Sequence, residues 1–374
     1  MQKKLIALAV AAALAAPALA LADSANVSVY GVADADVELV KSDKVAATAP
    51  GSRGRVTSNA SRLGFKGEEN VGNGLTAFFQ AETRLNIAGN ETGGGGGIFS
   101  GLRNSNLGLK GDFGTAFVGH WDTPFKASHN KVELFDNTTI ATNTALLGNY
   151  QAVAGGTAFN SFNLRQNSSV QYWSPVMSGF QVKGAYSTAN AGAIAPTGNN
   201  FDTPSLLSLS AAYDQDGIYV ALANEQHKNF TTAATAAGSA KDSATRLVAA
   251  YNLDAMQVGF TYETMSLKTI AGVDTKKNTF ALSGKYAMGA NNFGLSYTQA
   301  ADASVGGVTA TNTGAKQISL RYGYAMTKRS EVYGMYSQLA NKAAGTYNFA
   351  DVAPLASNAG ATLSGFGVGV RHSF

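Results

Sequence analysis

The sequence predicts an all-β fold: one antiparallel barrel of sixteen strands that crosses a membrane. Three observations support this prediction. Most of the chain alternates between polar and apolar residues with the period of two that β-strands show. The alternating segments come in pairs joined by short turns, and longer polar loops separate the pairs. Glycine is abundant (42 residues) and proline is rare (7 residues), which suits long strands joined by turns.

The first 22 residues are predicted to be a secretory signal peptide. Lys3 and Lys4 form a short positive region, and an apolar run follows over residues 5–16. That run is too short to anchor the chain in a membrane, and Pro17 interrupts it. We therefore expect cleavage after Ala20 or Ala22 and one mature domain, residues 23–374, outside the cytoplasm.

Composition excludes several classes of protein. The chain has no cysteine, so a disulfide framework cannot hold it together. Without the two lysines of the signal peptide, 26 basic residues stand against 24 acidic ones, and this near-neutral balance argues against a nucleic-acid partner. After residue 22 there is no apolar run of the roughly 18 residues that a membrane helix needs.

The strands follow from the turns between them. Seven short turns rich in Gly, Asn, Asp and Pro join strands two to fifteen: residues 70–74, 112–114, 175–179, 214–217, 254–255, 288–292 and 327–330. A first strand over residues 26–40 and a last one over 363–374 complete the sixteen. Eight longer loops are predicted at the other end: residues 41–60, 86–103, 122–166, 188–204, 227–242, 267–276, 300–314 and 339–362. Short turns at one end and long loops at the other are typical of outer-membrane barrels, and sixteen strands can enclose an aqueous channel.

The stretch SRLGFKGE, residues 61–68, raises the question of which face meets water. Leu63 and Phe65 share one parity, and Arg62 and Lys66 share the other. Aromatic residues also cluster beside the short turns, at Tyr172, Phe180, Tyr213, Tyr251, Tyr286, Phe293 and Tyr324. Rings at one common height favour a water–lipid interface, so we expect the apolar face on lipid and the polar face around a lumen.

Parity places more basic than acidic side chains in this lumen. The eleven basic residues are Arg62, Lys66, Arg84, Lys110, Arg165, Lys183, Arg246, Lys277, Lys285, Arg321 and Arg371, and the seven acidic residues are Asp34, Asp36, Glu38, Glu68, Glu82, Glu225 and Glu263. Fixed charge of one sign concentrates counter-ions, so the excess predicts a weak preference for anions. Arg103 falls on the lipid-facing parity, and we expect it at the rim of a loop.

Two segments leave alternatives open. The fifth strand is apolar on both parities, with Phe117 and Trp121 alternating with Ala116 and Val118, so its facing is undecided. The loop over residues 122–166 is the longest, and loops of that length are usually functional or disordered. Its apolar residues favour folding into the lumen, which would bring Glu133 and Asp136 near the narrowest part; the alternative is that both are solvated loop charges.

Five stretches of the chain resemble the Gram-negative general porins of the neisserial and betaproteobacterial type. They are NVSVYGVADADVE, SRLGFKGEENVGNGLTAFFQAETRL, LGLKGDFGTAFVGHWDTP, NSSVQYWSPVMSGF and GVGVRHSF, in this order. The resemblance implies a homotrimeric barrel in outer-membrane lipid and lipopolysaccharide that passes small hydrophilic solutes and ions by passive diffusion. It also implies a third loop folded into the barrel, with acidic residues that face a basic ladder on the wall.

Strand parity, the apolar content of the long loop and the resemblance together give the candidate site residues. Arg62 and Arg84 match family wall positions and are the best candidates for the narrow zone, although they could instead balance the charge of nearby acids. The full candidate set is Arg62, Lys66, Arg84, Lys110, Glu82 and His120 on the wall and Asp122, Glu133 and Asp136 on the loop. Two departures soften the basic side: His120 stands where an arginine is usual, and Gln171 stands where the family often has a basic residue.

The terminal Phe374 resembles the signal read by the outer-membrane assembly machinery, and the alternative is an ordinary aromatic of the interface. No catalytic set is visible, and the four histidines lack metal-ligand spacing. We therefore expect no enzymatic activity, no metal and no cofactor. The alternatives to a general diffusion channel are a substrate-specific outer-membrane channel and a barrel adhesin that does not conduct.

Overall fold

The computed structural model describes residues 26–45, 50–89, 98–135, 138–149, 162–188, 204–228, 241–268, 273–349, 355 and 357–374. The predicted signal peptide and Asp136 lie outside the described residues. Within them the chain forms a single antiparallel sheet. None of the helices in the described ranges has the length and apolar character needed to cross a membrane.

The predicted all-β transmembrane barrel of sixteen antiparallel strands is confirmed. The strands are β1 (Asn26–Ser42), β2 (Ser52–Ser58 and Arg62–Gly72), β3 (Leu75–Leu85), β4 (Phe99–Leu102 and Ser105–Gly111), β5 (Gly114–Asp122), β6 (Arg165–Trp173), β7 (Phe180–Ser187), β8 (Ser205–Gln215), β9 (Ile218–Lys228), β10 (Lys241–Leu253), β11 (Met256–Lys268), β12 (Asp274–Met288), β13 (Asn291–Ala300), β14 (Ala315–Ala325), β15 (Ser330–Asn341) and β16 (Thr362–Ser373).

Each strand pairs with its neighbour in sequence, and β1 also pairs with β16, from Val32 opposite Ser373 to Ser42 opposite Leu363. This last pairing closes the barrel and removes the free edges that an open sheet would expose. All seven predicted short turns lie between strands. At three of them, Asn73-Gly74, Ser178-Gly179 and Asp216-Gly217, both residues have positive φ, which gives the turn whose twist matches that of the flanking strands.

The facing of the side chains is also as predicted. On β1, Val37 and Leu39 are 64% and 59% exposed, whereas Asp36 and Glu38 are 3% and 0% exposed. The same alternation continues around the barrel, with valine, leucine, phenylalanine and tyrosine on the outside. A continuous apolar exterior would aggregate in water but matches the hydrocarbon core of a bilayer.

The strand boundaries differ from the prediction in three places. Ser52–Ser58 and Phe99–Leu102 were expected in loops, but they extend β2 and β4 by pairing with β1 and β3. Each extension is followed by an irregularity, at residues 59–61 and 103–104, which obscures the alternation in the sequence. The loop after β13 also contains a small hairpin, formed by Ser304–Val305 and Val308–Thr309.

The third loop connects β5 to β6 and begins with a short helix, α1 (Pro124–Ser128). Thr123 caps this helix: its side chain accepts a hydrogen bond from the amide of Lys126 at 3.3 Å. A 3₁₀ turn follows at Asn143–Ala145. Six large apolar side chains of the described part of the loop are fully buried, and Leu134 is partly buried. The six are Phe125, Val132, Phe135, Ile140, Leu146 and Leu147. The loop therefore packs inside the barrel.

Candidate functional site: the narrowed lumen

The third loop is attached to the barrel wall by buried polar contacts. The Glu263 carboxylate of β11 accepts the amide of Gly148 at 2.7 Å and the Nε of Arg246 at 2.9 Å. Arg246 also donates to the carbonyl of Phe125 at 3.3 Å, so one buried ion pair holds two parts of the loop. Lys277 donates to the carbonyl of Leu146 at 2.7 Å. Because these charged groups are buried and hydrogen-bonded to the loop, they contribute little to the electric field that a passing ion meets.

Apolar contacts complete the attachment. Val132 packs against inward-facing residues of β9 and β10, among them Tyr219, Ala221 and Val248. It also lies directly over Gly259 of β11, where a Cβ atom would stand 2.9 Å from the Val132 Cβ. Only a glycine leaves the room for this contact. The wall is therefore shaped to receive the loop, as well as charged to hold it.

A basic cluster lies on the wall where the third loop enters the lumen. It consists of Arg62 on β2, Arg84 on β3, Arg103 beside β4, Lys126 on α1 and Arg165 on β6. Two carboxylates stand among these five cations, Glu82 on β3 and Asp122 at the end of β5. The cluster therefore has more positive than negative charge at the level where the third loop enters the lumen.

Glu82 organises the first half of the basic cluster. Its two oxygens receive the guanidinium of Arg103 at 2.7 Å and that of Arg62 at 3.6 Å. The hydroxyl of Tyr30 donates to it at 3.2 Å. One carboxylate thus fixes two arginines, and the pair of cations keeps a net positive charge.

Asp122 organises the second half in the same way. It receives the ammonium of Lys126 at 2.8 Å and the guanidinium of Arg165 at 3.2 Å. Asn104 links the two, because its amide donates to Asp122 at 3.0 Å and its oxygen accepts from Arg165 at 2.6 Å. Arg165, which parity placed in the lumen, is thereby held next to the entry of the third loop.

Arg103 is a correction to the sequence prediction, which placed it at a loop rim on the lipid-facing parity. It is 6% exposed and faces the lumen, where it binds Glu82. The cause is a break in β4 after Leu102: the segments on either side pair with β3 in registers that differ by one residue. Leu102, which is 61% exposed, and Arg103 therefore have the opposite facing from the one that counting gives.

The predicted loop acids have different positions. Glu133 is buried, and its carboxylate accepts the amides of Phe135 at 2.9 Å and Asn143 at 3.3 Å and lies 3.6 Å from His129. It therefore stabilises the fold of the loop and does not face the pore. Asp136 lies outside the described residues. Asp122 is in the basic cluster, as described above.

The remaining wall candidates separate into two groups. Lys66 and Lys110 face the lumen; Lys110 pairs with Glu68 and Lys66 lies 5.3 Å from the centre of the Tyr30 ring. His120 shares the parity of Val118, which is 51% exposed on the outside, so alternation places it on the outer side of β5 and not on the pore wall. The facing of β5 that the sequence left undecided follows from Phe117, which is 3% exposed and faces inward.

Acids on β1 form a second charged region of the wall. Asp34 accepts from Arg371 at 3.1 Å and from the hydroxyl of Tyr333 at 2.7 Å, and Glu38 accepts from Arg55 at 2.7 Å. Glu38 also binds Thr139 of the third loop. Among the described residues there is no group of three or more His, Asp or Glu that could hold a metal ion.

A closed barrel with an apolar exterior, a polar lumen and an inward-folded loop defines a channel of the outer membrane. A family model described as Gram-negative porin matches residues 7–344. The chain therefore belongs to the Gram-negative porin family, and the resemblance expected from the motifs is confirmed. It resides in the Gram-negative outer membrane and lets small hydrophilic solutes diffuse passively.

Individual relatives agree with this assignment. The chain is 29% identical over 378 residues to the outer membrane porin protein 32 of Delftia acidovorans, and the match covers 100% of both chains. It is 28% identical over 349 residues to the major outer membrane protein P.IB of Neisseria sicca, covering 88% of this chain and 91% of the relative.

The solved structure of an anion-selective porin from Comamonas acidovorans superimposes with a TM-score of 0.76 at 25% identity, over 94% of this chain and 100% of that one. The trimer form of OmpT from Vibrio cholerae has the same fold, with a TM-score of 0.67 at 17% identity, over 94% of this chain and 100% of that one.

Proposed function

We propose that this porin conducts anions in preference to cations and that the basic cluster is its selectivity filter. The observation that supports this is the balance of five cations, Arg62, Arg84, Arg103, Lys126 and Arg165, against two carboxylates where the third loop narrows the lumen. A ring of fixed positive charge raises the local concentration of anions. The Comamonas relative is an anion-selective porin, which agrees with the proposal.

The preference is weak rather than absolute. Glu82 and Asp122 neutralise part of the cluster, and the acids of β1 lie on the same wall. At physiological ionic strength a charge is screened over about 8 Å, so only cations that line the narrowest part act on a passing ion. Arg62, Arg84 and Arg103 are the filter residues that we propose from the wall.

The test is a reversal-potential measurement with the purified mature protein in a planar bilayer under a KCl gradient. The expected sign corresponds to chloride passing more easily than potassium. A reversal potential of the opposite sign would contradict the proposal, and an absence of channels would favour an adhesin that does not conduct.

We also propose that the channel is a homotrimer that is embedded in outer-membrane lipid and lipopolysaccharide, is inserted by the assembly machinery and catalyses no reaction. Four outward side chains of the first half of β1 are small or β-branched, namely Val27, Val29, Ala33 and Ala35, which suits close contact between barrels. Electrophoresis of unheated protein and its mass in detergent test the trimer; a monomer under both conditions would contradict it.

We propose that residues 1–22 are removed on export. The positive region, the apolar run and the small residues before Asp23 support this. The intact mass of protein isolated from outer membranes tests it, since cleavage after Ala20 and cleavage after Ala22 give different masses. A mass that retains the first twenty residues would contradict it.

A further inference from the structure

Four aromatic side chains line one side of the lumen towards the end with the short turns: Phe78 on β3, Phe117 and Trp121 on β5, and Trp173 on β6. We call them the aromatic basin. Their rings meet edge to face: the ring centres are 5.1 Å apart for Phe117 and Trp173, 5.5 Å for Phe117 and Trp121 and 6.3 Å for Phe78 and Phe117. They form the floor of a recess of about 410 Å³ in the lumen wall.

The placement of these rings runs against the rule for such barrels. Inward positions of a water-filled barrel are polar, and tryptophan favours the water–lipid interface on the outside. The chain has only two tryptophans, and both are in the aromatic basin. Neither facing lipid nor filling a dry core explains them, so a solute that stacks on them is the remaining use of the lumen's apolar surface.

The backbone below the basin makes room for the rings to meet. Gly108 of β4 stands in register between Phe78 on one side and Phe117 on the other. A Cβ atom at this glycine would stand 2.5 Å from the Cβ of Phe117. With Trp173 of β6, the floor of the recess is thus built by four adjacent strands, β3 to β6.

The rim of the recess is positively charged. The ammonium of Lys66 lines the recess and lies 5.3 Å from the centre of the Tyr30 ring. The ammonium of Lys183 does not line the recess but lies 4.4 Å from the centre of the Trp173 ring. Glu68, the acid of the rim, is bound by Lys110. An anion in the recess would therefore meet more positive than negative charge.

We propose that the aromatic basin binds small aromatic carboxylates as they pass through the channel. The ring of such a solute stacks on the aromatic floor, and its carboxylate faces Lys66 at the rim. The recess is large enough, since ligand pockets generally begin at about 300 Å³. A few stacked atoms and one exposed charge give weak binding, with a dissociation constant on the order of millimolar, which lets the solute leave again.

Tryptophan fluorescence can detect binding at this site, because both tryptophans of the chain are in it. The test is the tryptophan emission of the full mature protein in detergent, excited where phenylacetate does not absorb, during titration with phenylacetate, cyclohexylacetate and 2-phenylethanol. The expected result is a saturable change with phenylacetate at the lowest concentration. Equal midpoints for phenylacetate and cyclohexylacetate would overturn the role of the aromatic floor, and equal midpoints for phenylacetate and phenylethanol would overturn the role of the charge.

Variants assign the site. Phe78→Leu removes one ring of the floor and should weaken phenylacetate binding about three- to tenfold, the value of one aromatic pair. Phe65→Leu is the matched control, because Phe65 faces outward on the neighbouring strand. This variant should bind phenylacetate as the parent does. Lys66→Gln should weaken phenylacetate binding and leave phenylethanol binding unchanged. Equal midpoints for the Phe78 variant and the parent would overturn the proposal.

Two further measurements keep the test decisive. The folding of each variant is checked by its electrophoretic shift on heating. If Phe78→Leu does not fold, the parent protein is used instead, and the block of its single-channel current by phenylacetate is compared with the block by cyclohexylacetate. Equal block by the two compounds overturns the proposal. The inference rests on the channel and not on its proposed ion preference. A KCl reversal potential measured on the same protein separates the failure of one from the failure of the other.

Discussion

The guanidinium of Arg103 reaches the lumen because the backbone of β4 is broken at residues 103 and 104. Its side chain then meets Glu82, which also holds Arg62. Parity alone gave the opposite facing, since counting by two is valid only while the register is unbroken. The same reasoning applies to Arg55, which lies before the register shift between the two segments of β2.

Removing the charge of Arg103 should reduce the anion preference. In Arg103→Gln the filter loses one cation while Glu82 remains, so we expect the chloride-to-potassium permeability ratio to fall by roughly a factor of two. Reversal potentials in KCl gradients measure this. Lys316→Gln is the control, because it removes the same charge from the outer face of β14, on the parity of Ile318. An equal change in both variants would mean that Arg103 does not act within the filter.

Arg246 should matter for stability more than for selectivity. It is fully buried and pairs with Glu263, so Arg246→Leu leaves a buried carboxylate without its cation. Loss of one partner of a buried pair costs about 3–5 kcal/mol, and we expect unfolding in detergent at a clearly lower temperature. Adding Glu263→Gln should recover part of the loss. Arg329→Leu, at an exposed turn, is the control and should unfold at the same temperature as the parent. If Arg246→Leu also unfolds at the parent's temperature, the buried pair does not contribute to stability.

At the scale of elements, the strands and turns were predictable and the interior of the third loop was not. Alternation and turn chemistry act over two to five residues, so they can be read locally. Glu133 shows the limit: as a loop acid it was expected near the narrowest part, but its partners Phe135 and Asn143 come together only when the loop folds. The aromatic basin was missed for a related reason, because its rings come from three strands.

The contact between the third loop and the barrel wall at Gly259 can be tested by adding one methyl group. In Gly259→Ala the new Cβ would stand 2.8 Å from the Cγ1 of Val132, so the loop must move away from the wall and into the lumen. We expect a lower single-channel conductance in KCl. Gly284→Ala on β12 is the matched control, since a Cβ there meets nothing within 4 Å. Equal conductance of the two variants would show that the contact with Val132 does not set the width of the lumen.

At the scale of the whole molecule, the pairing of the first strand with the last follows from the closure of the barrel. A barrel in a bilayer must satisfy every backbone group within itself, so the first and last strands have to pair. The chain end takes part in this: the amide of Phe374 donates to the carbonyl of Gly31 at 3.1 Å, and the amide of Gly31 donates back at 3.0 Å. The Phe374 ring covers Gly31 on the outer face, 46% exposed at the level of the short turns.

Two separable roles can therefore be tested for the Phe374 ring, the proposed assembly signal and the closing of the β1–β16 seam. Phe374→Ala removes the ring and keeps the two backbone hydrogen bonds to Gly31, whereas deletion of Phe374 removes both. If the ring is the signal, Phe374→Ala should sharply reduce the amount of protein in the outer membrane while the purified chain still refolds in detergent with nearly the parent's yield. If the ring serves the seam, refolding should fail as well. The comparison of membrane yield with refolding yield, with Phe366→Ala as the control for loss of an outward aromatic on the same strand, decides between them. Parent levels of Phe374→Ala in the membrane would contradict the signal.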